Sequence, residues 1–318
     1  MVSASAGPIA DGDRVGLCLD VDGTIHRHGS IFVESLAVLP YASDLPIEGR
    51  ERELLTEALG TVAAYAGQDQ SRRRWLGALR VCDVFDRVGL GSVAAHVLVR
   101  LIRYRATQAS GAPATGETEG YRDMQRRILD QYGAFLEGRR RDRTERAFEQ
   151  VASSHLRAEP SIRETLAALT AAADIDVVLV TDVPTHIARP YAGLVGADVS
   201  AVGTDFETVE GRFTGDYTFI KKGAEVERMR AERGWDYVLA AGDSANDLPM
   251  AAAADLFVAV AGRGNVGDDL PSDYRTIEAS EIRPGKLPSG TDAIRVPQAT
   301  SLADVLETTF GALGIETN

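Results

Sequence analysis

The stretch VGLCLDVDGT, Val15 to Thr24, decides the fold. Its first five residues form an unbroken apolar run, the pattern of a parallel strand buried on both faces, and the Asp22–Gly23 pair ends it in a turn. Two carboxylates, Asp20 and Asp22, therefore stand one residue apart at the end of a strand. Val21 between them points away, and Gly23 permits the tight turn. In such a pair one aspartate is placed to attack an electrophile while the other moves protons.

The same grammar recurs downstream. The apolar run DVVLV, Asp176 to Val180, is followed at once by Thr181, and YVLAA, Tyr237 to Ala241, by Gly242 and Asp243. Three strands that each end in polar residues gather those residues at one sheet edge, where open α/β sheets bind ligands. Further strands are predicted at Val199 to Val202 and Leu256 to Val260. Helices are predicted at Ser161 to Ala172, Lys222 to Arg233, Leu248 to Ala254 and Ser301 to Phe310.

Between the first strand and the second the pattern changes. Leu54, Leu55, Ala58 and Leu59, then Trp75, Leu76, Leu79 and Val84, follow helical spacing, and the region up to His155 reads as wholly helical. It is divided at Ala109 to Gly120, ASGAPATGETEG, which reads as a flexible surface loop. The expected architecture is thus an α/β, Rossmann-like parallel sheet core flanked by helices, with an inserted all-helical cap. The core takes residues 1–30 and 156–318, with 1–13 a loose tail, and the cap takes 31–155. An insertion at that point is placed to close over the sheet edge.

Composition narrows the function classes. The chain has 318 residues, 44% hydrophobic and 25% charged, which suits a soluble globular protein of two compact units. Val88 to Ile102 is the best membrane candidate and fails, because His96 and Arg100 interrupt it. The first residues show no basic leader followed by an apolar segment, so a cytoplasmic location is expected. Cys18 and Cys82 are the only cysteines, too few for a disulfide framework or a zinc site.

The formal charge of −13 disfavours nucleic acid and anionic membranes as partners. That charge is unevenly spread: residues 31–155 hold 18 arginines against 17 acidic residues, and the remainder holds 16 basic against 30 acidic. Lysine occurs only at Lys221, Lys222 and Lys286.

The chemistry follows from residue types. Attack of a carboxylate on a phosphate ester is opposed by charge repulsion, so the site requires a hard cation with oxygen ligands, typically Mg²⁺. GDSANDLPM, Gly242 to Met250, supplies Asp243 and Asp247 directly after a strand, with Asn246 between them. Thr181 is placed to hydrogen-bond a phosphate oxygen, and Lys222, at a helix start, to neutralise charge on the phosphoryl group. His26 and His28 read as exposed and inert, His186 as without a catalytic role, and the clusters Arg72 to Arg74 and Arg139 to Arg141 as solvated helix faces.

In this order DVDGT, Thr181, Lys222 and GDSAND resemble the four motifs of the haloacid dehalogenase superfamily. The inserted helical cap and the run from Lys222 and Gly223 through GDSANDLPM resemble its phosphoserine phosphatase-like branch. The resemblance covers the sheet domain well and the cap only loosely.

The resemblance implies that Asp20 is the nucleophile and Asp22 the general acid and then base. Thr181 and Lys222 bind phosphate, and Asp20, Asp22 and Asp243 hold Mg²⁺, Asp22 through its backbone carbonyl. Asp247 joins the metal set or orients Lys222, and Asn246 joins the phosphate binders. The expected function is hydrolysis of a small phosphorylated metabolite through an aspartyl phosphate. Two departures speak against phosphoserine itself: Asp182 and Val183 stand where glycines are usual, and the first acidic residue after Asp22 is Glu34.

A phosphotransferase or phosphomutase would use the same residues, and a non-catalytic metal- or phosphate-binding protein is the alternative of another class. A dehalogenase has no need of Asp22, and the cap contains no lysine for Schiff-base chemistry.

Overall fold

The protein is described by a computed structural model, in residues 12–26, 29–65, 69–109, 118–172, 175–260, 275–278, 292–296 and 301–312, together with Leu270 and Ile315. Strand β1, Val15–Leu19, lies at the centre of an eight-stranded sheet. Its five residues are all buried, as an apolar run between two helical layers requires. Beside it lie β2, Ile175–Pro184, and β5, Tyr237–Gly242, both parallel to it.

Outward from β2 come β3, Ser200–Val209, and the antiparallel β4, Arg212–Thr218. Outward from β5 come β6, Leu256–Val260, then β8, Asp292–Val296, and β7, Arg275–Glu278. The register sets Leu19 level with Leu179 and Ala241. Asp20 and Asp243 therefore leave the sheet at the same edge, level with Thr181 of β2.

Six helices of the insertion follow β1, and a seventh precedes β2. The six are α1, Ile31–Ala42, α2, Arg50–Tyr65, α3, Asp69–Arg87, α4, Gly91–Ala109, α5, Thr118–Leu136, and α6, Arg141–His155. The loop expected at Ala109 to Gly120 is shorter than its composition suggests: Ala109 ends α4, Thr118 begins α5, and residues 110–117 lie outside the described ones. The remaining helices are α7, Pro160–Ala172, α8, Thr185–Val195, α9, Lys222–Arg233, α10, Leu248–Ala253, and α11, Leu302–Ala312.

The hydrophobic pattern missed the β3–β4 hairpin. Its turn is made by Glu210 and Gly211, at φ 51° and 74°, and two successive positive φ values match the right-handed twist of a hairpin. Strand β2 also runs four residues beyond Val180, through the polar Thr181 and Asp182 to Pro184, because β3 pairs with both ends of it around a bulge.

The helical insertion shares its core with the sheet. Leu98 of α4, Tyr132 and Phe135 of α5 and Phe148 of α6 belong to one buried cluster with Leu17, Val177 and Tyr191. Its central polar contact is between the Tyr132 hydroxyl and His186 Nε2, at 2.6 Å inside a ring of Phe148, Phe206 and Phe213. Burial, with Arg141 and Arg189 nearby, pushes His186 down to about 3, so it stays neutral. His186 is buried where the inserted helices meet the sheet.

Candidate active site

The site is assembled by three strand ends and one helix start. Asp20 follows β1 with its backbone N–H bonded to Ala241 O at 2.9 Å, which ties it to β5. The loop then folds back on itself: His26 N donates to Val21 O and Gly23 N to His26 O. Gly23 sits at φ +92°, and a Cβ there would collide with the Asp243 carboxylate. The second motif is packed as closely, since a Cβ on Gly242 would collide with the Asp247 side chain.

Three carboxylates converge. One oxygen each from Asp20, Asp243 and Asp247 lies within 4.8 Å of the others, and all three residues are buried. Lys222, at the first turn of α9, is buried among them. Its Nζ donates to Asp20 Oδ1 at 2.8 Å and to Asp247 Oδ1 at 2.6 Å, and stands 4.0 Å from Asp182 Oδ2. Burial alone would lower the Lys222 ammonium, but the Asp182, Asp20 and Asp247 carboxylates more than reverse this and hold it well above its ordinary range. Burial, and then repulsion from Asp247 and Asp243, push the Asp20 carboxyl well above the usual carboxylate range, against the pull of Lys222.

The remaining residues read from the sequence take different places. The other oxygen of Asp247 accepts from Asp243 N, Ser244 N and Ser244 Oγ, each at 3.0 Å. Asp247 thus has both oxygens engaged, in shaping the loop and positioning the lysine. The Asp22 carboxylate accepts from Ile31 N at 2.9 Å, at the N-terminus of α1. Thr181 is buried, and its Oγ accepts from Val183 N at 3.3 Å while its O–H remains a donor. The Asn246 amide donates to Asp182 Oδ2 at 3.3 Å.

Sequence reasoning missed several neighbours. Asp182 also accepts from Gln125 of α5 at 3.3 Å, linking a cap helix to the site. His26, expected to be exposed, is buried because the loop tucks under α1, and its Nε2 meets Glu34 Oε1 at 2.9 Å. The Tyr191 hydroxyl lies 3.4 Å from its Nδ1. The spacing from His26 to Glu34 crosses from loop to helix, so no periodicity flags the pair. His28 lies outside the described residues.

The arginine clusters make no anion site among the described side chains. Arg139 pairs with Glu51, Arg140 with Asp142 and Arg141 with Glu145. The helix carrying Arg72 to Arg74 is described, but their side chains are not.

The donor set fits a hard divalent cation. Asp20, Asp243 and Asp247 form a buried cluster of carboxylates, with the Lys222 ammonium bonded to Asp20 and Asp247. All its ligand atoms are carboxylate oxygens, which suits Mg²⁺ and not a soft metal. Among the described residues no helix is long and apolar enough to cross a membrane.

Comparison with known proteins places this site in a family. A comparison with curated proteins gives no match. Among solved structures the chain is similar to a phospho-aspartyl intermediate analogue of phosphoserine phosphatase, at 13% identity and TM-score 0.46 over 92% of this chain and 98% of the other. It is similar to a probable phosphoserine phosphatase from Vibrio cholerae, at 17% identity and TM-score 0.46 over 97% and 69%. A third is cytosolic 5'-nucleotidase IIIB bound to cytidine, at 10% identity and TM-score 0.45 over 95% and 85%. At such identities and scores the likeness specifies no substrate.

The sequence model of the haloacid dehalogenase-like hydrolases matches residues 91–252, a span that holds Thr181, Lys222, Asp243 and Asp247 and begins after the Asp20 loop. Matched over half its length, and with Asp20 brought by β1 to the residues of that span, the chain belongs to the haloacid dehalogenase-like hydrolase family.

Proposed function

We propose that this hydrolase is a Mg²⁺-dependent phosphatase of a small phosphomonoester, working through an aspartyl phosphate on Asp20. The observation that carries the reading is the buried ammonium of Lys222 held between Asp20 and Asp247 inside the three-carboxylate cluster. A carboxylate nucleophile, a fixed positive charge and an oxygen-ligand cation site within one cluster are the requirements of phosphoryl transfer to an aspartate.

In this reading Asp20 and Asp243 hold the ion with the backbone carbonyl of Asp22, and Asp247 places Lys222 and the Asp243 loop. When bound, the ion offsets the negative charge of the phosphoryl oxygens and of the attacking carboxylate. Asp20 forms the new bond to phosphorus as the ester oxygen leaves, and Asp22 protonates that oxygen. Asp22 then takes a proton from water as it attacks phosphorus and releases phosphate from Asp20. Thr181 donates its O–H to a phosphoryl oxygen, and Lys222 neutralises the charge that develops there. The cap, residues 31–155, excludes bulk water, with Gln125 reaching Asp182 beside the site.

The test is phosphate release from a panel of phosphomonoesters with Mg²⁺ and with chelator, for wild type and Asp20→Asn. Wild-type turnover that needs Mg²⁺ and is lost in the variant is the expected result. Turnover that survives Asp20→Asn contradicts the covalent route.

A further inference from the structure

The α3–α4 hairpin presents apolar side chains on the wrong side. On α3, Val81, Val84 and Phe85 recur at positions i, i+3 and i+4, with Val88 just past its end at i+7, and their exposures run from 40% at Phe85 to 66% at Val88. Leu90 follows in the turn, and on α4 Val93, Val97 and Leu101 continue at i, i+4 and i+8, with 42% to 51% exposure.

These are not the faces that pack on the protein. The inward face of α3 is Leu79 and Cys82, and that of α4 is Ala94, Ala95, Leu98, Val99 and Ile102, all buried. The hairpin is closed by Cys82 Sγ donating to Ala94 O and is held against α1 by the Tyr41 hydroxyl, which donates to Asp83. Both outward stripes therefore face solvent from one layer. A helix apolar on both sides, as α4 is, ordinarily has a neighbour on both sides.

We infer that two copies of this chain associate through the outward faces of their α3–α4 hairpins. Area selects this occupant. The eight side chains expose roughly 650 Å² in one copy, beyond the scattered apolar surface of a monomer. Burying that patch on both partners removes roughly 1,300 Å², within the range of stable interfaces.

A hairpin laid on its twofold-related copy makes a four-helix layer whose patch is its own complement.

Sedimentation velocity of the full chain over a range of concentrations tests this, with wild type beside Val84→Glu/Val97→Glu. Both positions are exposed, so circular dichroism and phosphate release are expected to match wild type. The expected result is a wild-type species of twice the 34.0 kDa chain mass. The double variant should dissociate about 100-fold more readily or run as a monomer, because each copy carries two charges into an apolar contact.

The single variant Val88→Arg, at the most exposed position, should weaken association in the same direction. A wild-type monomer at about 100 μM, or a dimer indifferent to all three substitutions, would overturn the inference. So would wild type that stays monomeric and co-sediments with phosphatidylcholine vesicles.

Discussion

His26 Nε2 and Glu34 Oε1 face each other at 2.9 Å, both buried, and join the loop that carries Asp20 and Asp22 to the first helix after it. The same loop is bonded to α1 a second time, through Asp22 Oδ1 and Ile31 N. Glu34→Ala should remove the first tie and leave Asp22 imprecisely placed, lowering kcat about 10- to 100-fold with KM nearly unchanged. Glu34→Gln keeps an acceptor for His26 and should recover most of the rate. Steady-state phosphate release on both variants decides this, and equal kcat for Glu34→Ala and wild type would rule it out.

Lys222 answers to two carboxylates at once, so its removal exposes both to each other. In Lys222→Met, Asp20 and Asp247 keep their burial and lose their shared cation. Activity should fall by about 10³-fold or more, and urea unfolding should show a loss of about 3–5 kcal/mol. Lys222→Arg should not restore turnover, because a planar guanidinium does not fit a pocket shaped for one ammonium between two oxygens.

The cluster also predicts how stability varies with pH in chelator. Burial and then Asp247 raise the Asp20 carboxyl well above 3.8 in the folded chain. Between the unfolded value and the raised folded one, the folded state binds the extra proton, so stability falls as pH rises and levels off above the folded pKa. The contribution is complete only below the unfolded value. Asp20→Asn removes it, so the stability of wild type minus that of the variant should decline with rising pH across this window, as read by urea unfolding. Mg²⁺ at a hundredfold excess over its Kd should stabilise wild type by about 2.7 kcal/mol and the variant far less.

Gly23→Ala is a test of packing rather than of charge. The residue sits at φ +92°, and its missing Cβ leaves the room that the Asp243 carboxylate occupies. Alanine should displace Asp243, raising the Mg²⁺ concentration needed for half-maximal rate at least 10-fold and lowering kcat by about 100-fold. Metal titration of the activity provides the measurement, and an unchanged Mg²⁺ requirement would contradict the geometry.

Local pattern carried much of this protein into view. Each of VGLCL, YVLAA and the run at Leu256 to Val260 announces a buried strand by unbroken apolarity, and the helix from Lys222 to Arg233 announces itself by its spacing and by Gly234 after it. Asp20, Thr181 and Asp243 were legible as neighbours because each follows an apolar run, and parallel strands end at a common edge.

The burial of His26 against Glu34, the double engagement of Asp247, the reach of Gln125 to Asp182 and the outward apolar face of α3 and α4 were decided only by the tertiary structure. Periodicity records which residues along one element are apolar. Which face of that element meets another, and which polar side chain then finds a partner from a distant stretch, depends on the packing of the whole chain.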